Sequence, residues 1–452
     1  MEQEIIDWQK EDQKYIWHPA MQMKDNEVFP PVVIDHGKGV YLYDTEGKAY
    51  LDIISSWWCN LLGHGNPEIN EALKKQLDRL EHVIFTNFSH KPAIELAREL
   101  AKVVPKGLTK FSFHDNGSSA VEAGLKMAFQ YHFQTGHDER KRFMCLNESY
   151  HGETIGALSV GSMDFYAKIF HPLMVDTIHL KGLDCYRCPY GKDREHCQVE
   201  CFASAREAFE KYGKETAALI VEPILQGAAG MRIYPAEYLK RLRQLCDAYG
   251  VLLIDDEIAA GFGRTGKLFA IEHAGVSPDI LCASKGLTAG YMPMSITMTT
   301  DEIYNAFYDD YGKHKAFVHS HTYAGNPMGC AIALAVLKMI RRDHILDRVR
   351  ENGTYLHQKL MDALGSHPHV GEIRHIGLIN AIELVEDRKT KKAFDPKKRI
   401  GWHIFRHAME AGLVLRPMGD VIYFNPPLTI EKEDMDKAVA LCRKAVLSVL
   451  PE

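Results

Sequence analysis

The sequence predicts an α/β fold, with a large unit around a mostly parallel central sheet and a smaller α+β unit drawn from both ends of the chain. Three observations carry this. Short apolar runs at Phe143–Leu146, Ala218–Val221, Val251–Ile254 and Ile280–Ala283 alternate with helical periodicities, the pattern of buried parallel strands joined by helices. A helix pattern at about Ala236–Tyr249 sits between two of those runs, as a crossover requires. After about Pro327 the alternation yields to VGEIRHIGLINAIELV and GLVLRPMGDVIYFNPP, which read as antiparallel strands. The implied division is residues 1–60 with the small unit, 61–327 as the large unit and 328–452 as the small one.

Taken in order, GVYLYDTEGKAYLDI reads as a hairpin, its two apolar runs flanking Asp44, Thr45, Glu46 and Gly47. Asn66 before Pro67 marks a capped helix start. Ile69, Leu73, Leu77 and Leu80 continue that helix at spacings of three and four. Ser119 and Glu122 are spaced as a capping box for a long helix that stops at Gly136. A second long helix spans about Met328 to Arg341.

Composition excludes several classes of function. The formal net charge is −6 and no basic stripe is present, so a nucleic-acid partner is not expected. No run approaches the ~18 apolar residues of a membrane span. The polar, acidic start MEQEIIDWQKEDQKY has neither signal-peptide nor transit-peptide character. A cytoplasmic protein is the default expectation. Of ten cysteines, Cys145, Cys246, Cys282, Cys330 and Cys442 stand in apolar runs and read as small core residues.

Four features lie at the ends of expected strands, where ligands bind in open parallel sheets. In DNGSSAVEAGLKMAF, Gly117 and Ser118 sit where a turn enters a helix. Free N–H groups and the helix dipole make this an anion site, though plain capping uses the same residues. In VLLIDDEIAAGFGRTG a buried strand ends in Asp255, Asp256 and Glu257. Carboxylates there need a partner: a protonated ring nitrogen, a magnesium ion or solvent. In DILCASKGLTAG, Lys285 follows a strand and precedes a glycine turn. Desolvation there lowers a lysine's pKa toward imine chemistry, and a snorkelling lysine is the alternative. In SYHGETIGA, Tyr150 and His151 follow a strand, placing an aromatic ring either on a planar cofactor or in the core.

The order of LLIDDEIAAGFGRTGKLFA, CASKGLTAGYMP and HSHTYAGNP resembles the class III aminotransferases of the fold type I pyridoxal-phosphate family, over about Trp17 to Ala445. The resemblance implies pyridoxal 5'-phosphate as cofactor, a small-molecule amino donor and a keto acceptor. It implies that Lys285 forms the Schiff base and shuttles the proton. Asp256 would face the pyridine nitrogen, Gly117 and Ser118 would cradle the phosphate, and Tyr150 would stack on the ring. Thr322 and the His321 backbone would reach the phosphate from the partner of a homodimer. Trp57, Trp58, Tyr150, Ser320 and Arg416 would line the substrate path, Arg416 gripping a remote carboxylate. Glu222 in VEPI would brace the site.

Within the class, IWHP, SSWW with GHGNP, GMRIYP and LRPMGDVIYFNPP are most similar to the biotin-synthesis branch, which aminates 8-amino-7-oxononanoate using S-adenosylmethionine or lysine. One position departs. An aromatic residue usual after IWHP is replaced by Ala20, then Met21, so a broad ω-amine or diamine transaminase and an aminomutase stay open. Finally, Cys185, Cys188, Cys197 and Cys201 form a C-x2-C-x8-C-x3-C pattern. That spacing suits zinc, an iron–sulfur cluster or simply reduced thiols, and no metal is assigned to the reaction.

Overall fold

The computed structural model describes residues 6–181 and 183–452. Its centre is a seven-stranded sheet. In spatial order the strands are Leu108–His114, Ser295–Thr300, Ile280–Ala283, Leu252–Asp256, Thr216–Val221, Arg142–Leu146 and Thr177–Leu180. Only Ser295–Thr300 runs against its neighbours. The central strands are continuous apolar runs because helices cover both faces. All six residues of Thr216–Val221 are buried, and Ile254 sits in register with Ile220 on one side and Ile280 on the other. Burying each such side chain contributes roughly 1.5–3 kcal/mol. Ile254→Ala at this junction costs about 2–5 kcal/mol.

The expected hairpin is present as Tyr41–Asp44 against Ala49–Asp52. It belongs to a four-stranded sheet in which Leu413–Val414 lies parallel to Ala49–Asp52. Both ends of the chain therefore share one sheet. Val370–Ile376, Ile379–Leu384 and Val421–Phe424 make a separate antiparallel sheet. The helix Pro67–Leu77 is capped by Asn66, whose side chain accepts from Glu68 and Ile69 N–H. The crossover helix spans Ala236–Tyr249 and stops at Gly250 in the left-handed region. The later helix is Pro327–Arg342. No helix among the described residues is long and apolar enough to cross a membrane.

One expectation is corrected. The helix Gly117–Gln134 is capped by Asn116, whose side-chain oxygen accepts the Ser119 N–H at 3.1 Å. Glu122 turns away from a capping box. Its Oε1 accepts from Thr154 Oγ1 at 2.6 Å and from Gly156 and Ala157 N–H at 2.7 and 3.1 Å. Glu122 therefore ties the loop after Tyr150 to this helix, which matters for the site below.

Candidate active site

A cavity of about 530 Å³ opens at the carboxyl ends of the central strands, within the range of small-molecule sites. Gly117, Ser118, Tyr150, Asp256 and Lys285 all line it, as do Trp58, His151 and Glu222. Apart from Trp58, five separate strand ends of the central sheet deliver these groups, so the sheet fixes their spacing.

Lys285 begins a short 3-10 turn directly after strand Ile280–Ala283 and holds φ at +41°, a backbone position that costs a non-glycine residue of order 1–3 kcal/mol. Its Nζ lies 4.6 Å from the centroid of the Trp58 ring. Burial pushes the ammonium below the ordinary lysine range, opposed by the negative charge of Asp256. Asp256 ends strand Leu252–Asp256 and is 4% exposed. Its Oδ2 lies 2.6 Å from His151 Nδ1, and its Oδ1 accepts the Ile258 N–H at 3.1 Å.

The alternation of the strand separates the three acids. Asp256 faces the cavity, while Asp255 and Glu257 are both fully buried and pair with each other. Among the described residues neither Asp255 oxygen has a hydrogen-bond donor, and Glu257 Oε2 has none. Burial pushes both above the carboxylate range, helped by the charges of Glu257 and Asp256 at Asp255 and of Glu272 and Asp256 at Glu257. Glu222 lies on the cavity wall. Its Oε2 accepts the Tyr150 N–H at 3.1 Å and its Oε1 the Gly227 N–H at 2.9 Å. Burial pushes it up to about 7.

The anion end of the cavity is built from the start of helix Gly117–Gln134. Asn116 takes the Ser119 N–H, leaving the Gly117 and Ser118 N–H groups as the unpaired donors of a helix terminus. A Cβ on Gly117 would lie 3.0 Å from two carbons of Ile258, and one on Gly152 would lie 2.1 Å from Ser118 Oγ. Glycine at both positions leaves the backbone close to a ligand. An anion cradle, a buried carboxylate, a desolvated amine and a flat aromatic wall on one cavity match the phosphate, ring nitrogen, aldehyde and ring of pyridoxal phosphate.

The tryptophan pair divides. Ser55, Ser56, Trp57 and Trp58 all hold positive φ between 44° and 74°, one left-handed turn costing roughly 1–2 kcal/mol per residue. Buried Arg264 offsets part of this by donating to the Trp58 and Asn60 carbonyls from one side and to Asn425 and Pro426 from the other. Trp58 turns inward, with Nε1 donating to Tyr423 Oη at 2.9 Å. Trp57 turns outward and is 42% exposed. Arg416 stacks on it, Cζ 4.2 Å from the ring centroid, and donates to the Ala20 carbonyl at 3.1 Å.

Ser320, His321 and Thr322 line a different cavity of about 820 Å³, with Phe85, Phe111 and Tyr304. Within a single chain they do not join Lys285. His321 Nδ1 is 2.9 Å from Asp115 Oδ2. Cys185, Cys188, Cys197 and Cys201 line a small cavity of about 30 Å³. Among the described residues no three His, Cys, Asp or Glu side chains are grouped to hold a metal ion. Sequence reasoning named His151 without giving it a contact and passed over Arg264. The signal for Arg264 was a lone arginine among glycines in an apolar run.

The family model for "Aminotransferase class-III" matches residues 22–446. The chain is similar to adenosylmethionine-8-amino-7-oxononanoate aminotransferase of Geobacter sulfurreducens, 44% identical over 448 residues, 99% of this chain and 98% of that protein. Its fold is similar to the crystal structure of the enzyme of that name from Methanocaldococcus jannaschii, with a TM-score of 0.92 and 36% identity over 98% of this chain and 99% of that one. It is also similar to the ω-transaminase of Pseudomonas jessenii in complex with PMP, with a TM-score of 0.93 and 30% identity over 98% of each chain.

Proposed function

The chain belongs to the class III aminotransferases, which are pyridoxal-phosphate enzymes, and on that footing we propose that it aminates 8-amino-7-oxononanoate to 7,8-diaminononanoate in biotin synthesis. The single observation that carries this reading is Arg416, fixed by Trp57 and the Ala20 carbonyl. An arginine held there on two sides suits a long keto substrate with a distal carboxylate. S-adenosylmethionine or lysine is the proposed donor, and the working unit is a cytoplasmic homodimer in which Ser320, His321 and Thr322 serve the neighbouring subunit's site.

Bound in the cavity, pyridoxal phosphate supplies an electron sink for the substrate carbon that loses its proton. The chain's own residues do the rest. The Gly117 and Ser118 N–H groups bind the phosphate. Asp256 provides the negative charge that keeps a ring nitrogen protonated. Lys285 Nζ, its basicity reduced by burial, holds the cofactor and moves the proton as base and then acid. Tyr150 covers the ring, and Trp58 excludes water from the amine. Glu222 holds the Tyr150 backbone in place.

The test is a panel of donors and acceptors. Turnover of 8-amino-7-oxononanoate with S-adenosylmethionine or lysine, well above that of simple ω-amines, supports the reading. A preference for simple ω-amines and pyruvate sinks it in favour of a broad ω-transaminase, the second reading, which the missing side chain at Ala20 favours. Return of the amino group to the same molecule, with no external acceptor consumed, supports neither.

A further inference from the structure

The segment from Lys315 to Thr322 belongs to no helix or strand, yet its exposure alternates strictly. Lys315, Phe317, His319 and His321 are half-buried, while Ala316, Val318, Ser320 and Thr322 are exposed. A period of two is that of an extended chain with one face packed and the other open. The segment is therefore an extended arm, and its two faces have different partners.

The inner face is fastened along its length. Gln130 Nε2, on helix Gly117–Gln134, donates to the Lys315 and Ala316 carbonyls, both at 3.2 Å. The Phe317 ring meets Phe307 edge-on, with centroids 5.8 Å apart. Lys126 Nζ, one turn back on the same helix, lies 3.1 Å from His319 Nδ1. At the far end His321 Nδ1 donates to Asp115 Oδ2 at 2.9 Å. Buried His114 backs that ring, with centroids 6.0 Å apart and planes at 69°. The Asp115–His321 tie is thus the one beside Ser320 and Thr322 on the outer face.

Ordering each free residue costs about 1–2 kcal/mol of backbone entropy. An arm with no ladder of its own presents a hydroxyl in one place only where side chains fix it beforehand. Asp115 is suited to this, since it follows strand Leu108–His114 directly and so stands on the central sheet.

We propose that His321 is a positioning residue whose imidazole, clasped by Asp115, sets the arm so that Ser320 and Thr322 meet the cofactor phosphate of a second copy of this chain. Cofactor retention in one subunit then depends on the Asp115–His321 pair of its neighbour. The inference rests on the homodimer of the proposed function and adds to it the pair that holds the exchanged arm.

The test uses mixed dimers, purified through two different tags, and measures the dissociation constant of pyridoxal phosphate from its imine absorbance. Only a subunit that keeps Lys285 gives that band. In the first dimer a His321→Phe subunit is joined to a Lys285→Met subunit, so the one reporting site meets an intact arm. In the second a wild-type subunit is joined to a Lys285→Met, His321→Phe subunit, so the reporting site meets the damaged arm. Phenylalanine keeps the ring and removes its N–H.

The first dimer should bind the cofactor like the wild type paired with Lys285→Met. The second should bind it about three- to tenfold more weakly, the loss of one carboxylate hydrogen bond discounted for the partial exposure of both side chains. In homodimers, Asp115→Asn added to His321→Phe should weaken binding no further. Equal constants in the two mixed dimers, or weakening in the first alone, overturn the proposal, as do additive losses in the double variant. If His321→Phe fails to fold, His321→Ala goes through the same two pairings. A wild-type protein that forms the imine as a monomer removes the homodimer and the proposal together, and its mass reads this before any variant is compared.

Discussion

Replacing Arg416 separates recognition of a remote carboxylate from general damage to the site. A guanidinium has five N–H donors. One of them is committed to the Ala20 carbonyl, and the ring face is committed to Trp57, so a two-pronged edge stays free. A charge-assisted hydrogen bond is worth about 1.5–3 kcal/mol net. Discounted for partial exposure, the pair of bonds to one carboxylate contributes about 3 kcal/mol. At 1.4 kcal/mol per tenfold, that is about a hundredfold in kcat/KM. Arg416→Ala also frees Trp57, a cation–π loss of about 0.5–1 kcal/mol that every substrate feels, or roughly two- to fivefold. The assay compares kcat/KM for two keto acceptors of equal length, one ending in a carboxylate and one in a methyl group. The shared loss cancels in the comparison, so the expected selective loss for the first is about a hundredfold beyond the second. Arg416→Lys keeps the charge but loses the fork, and falls between. Equal losses for both acceptors refute the role assigned to Arg416.

Further outcomes follow from the same geometry. Lys285→Met abolishes turnover and raises the melting temperature of the cofactor-free protein. Burial lowers the folded-state pKa of Lys285, so its charged form destabilises the fold below that pKa and the cost fades as pH rises toward the ordinary lysine range. The gain from Lys285→Met should shrink correspondingly in alkaline melts, and a gain that grows with pH contradicts this. Asp255→Asn stabilises the protein by about 1–3 kcal/mol at neutral pH, because folding no longer has to hold protonated a buried carboxyl that ionises in the unfolded chain. The carboxyl pair is raised in the folded state, so stability is lost as pH climbs above the ordinary carboxylate range. Urea titrations from acid to neutral pH should show that slope flattened in Asp255→Asn, and an unchanged slope counts against the shared burial.

The central strands were legible because burial on both faces writes itself as an unbroken apolar run. Ile280–Ala283 falls where the pattern placed it, and Leu252–Asp256 within a residue or two. The groups at their ends were legible as well, since strand ends in an open parallel sheet are where polar residues interrupt such runs. Lys285, Asp256, Tyr150, Gly117 and Ser118 do converge on one cavity. Other features carry no local signal. Asn116 and Ser119 each begin a valid capping pattern, and only the loop at Thr154–Ala157 decides which is used, by claiming Glu122. Two serines and two tryptophans give no hint of a left-handed turn. The long-range bonds from Arg264 that hold that turn connect residues some 160 and 200 positions apart. The different fates of Trp57 and Trp58 follow from this turn and were unreadable without it.

The most direct test treats the holoprotein with borohydride in the presence of pyridoxal phosphate, then maps the modified peptide. The account predicts a single stable adduct on the side-chain nitrogen of Lys285, in the peptide containing Ala283–Gly286, and none in Lys285→Met. A colourless protein with no adduct, or an adduct on another lysine in its place, contradicts the assignment of the cavity.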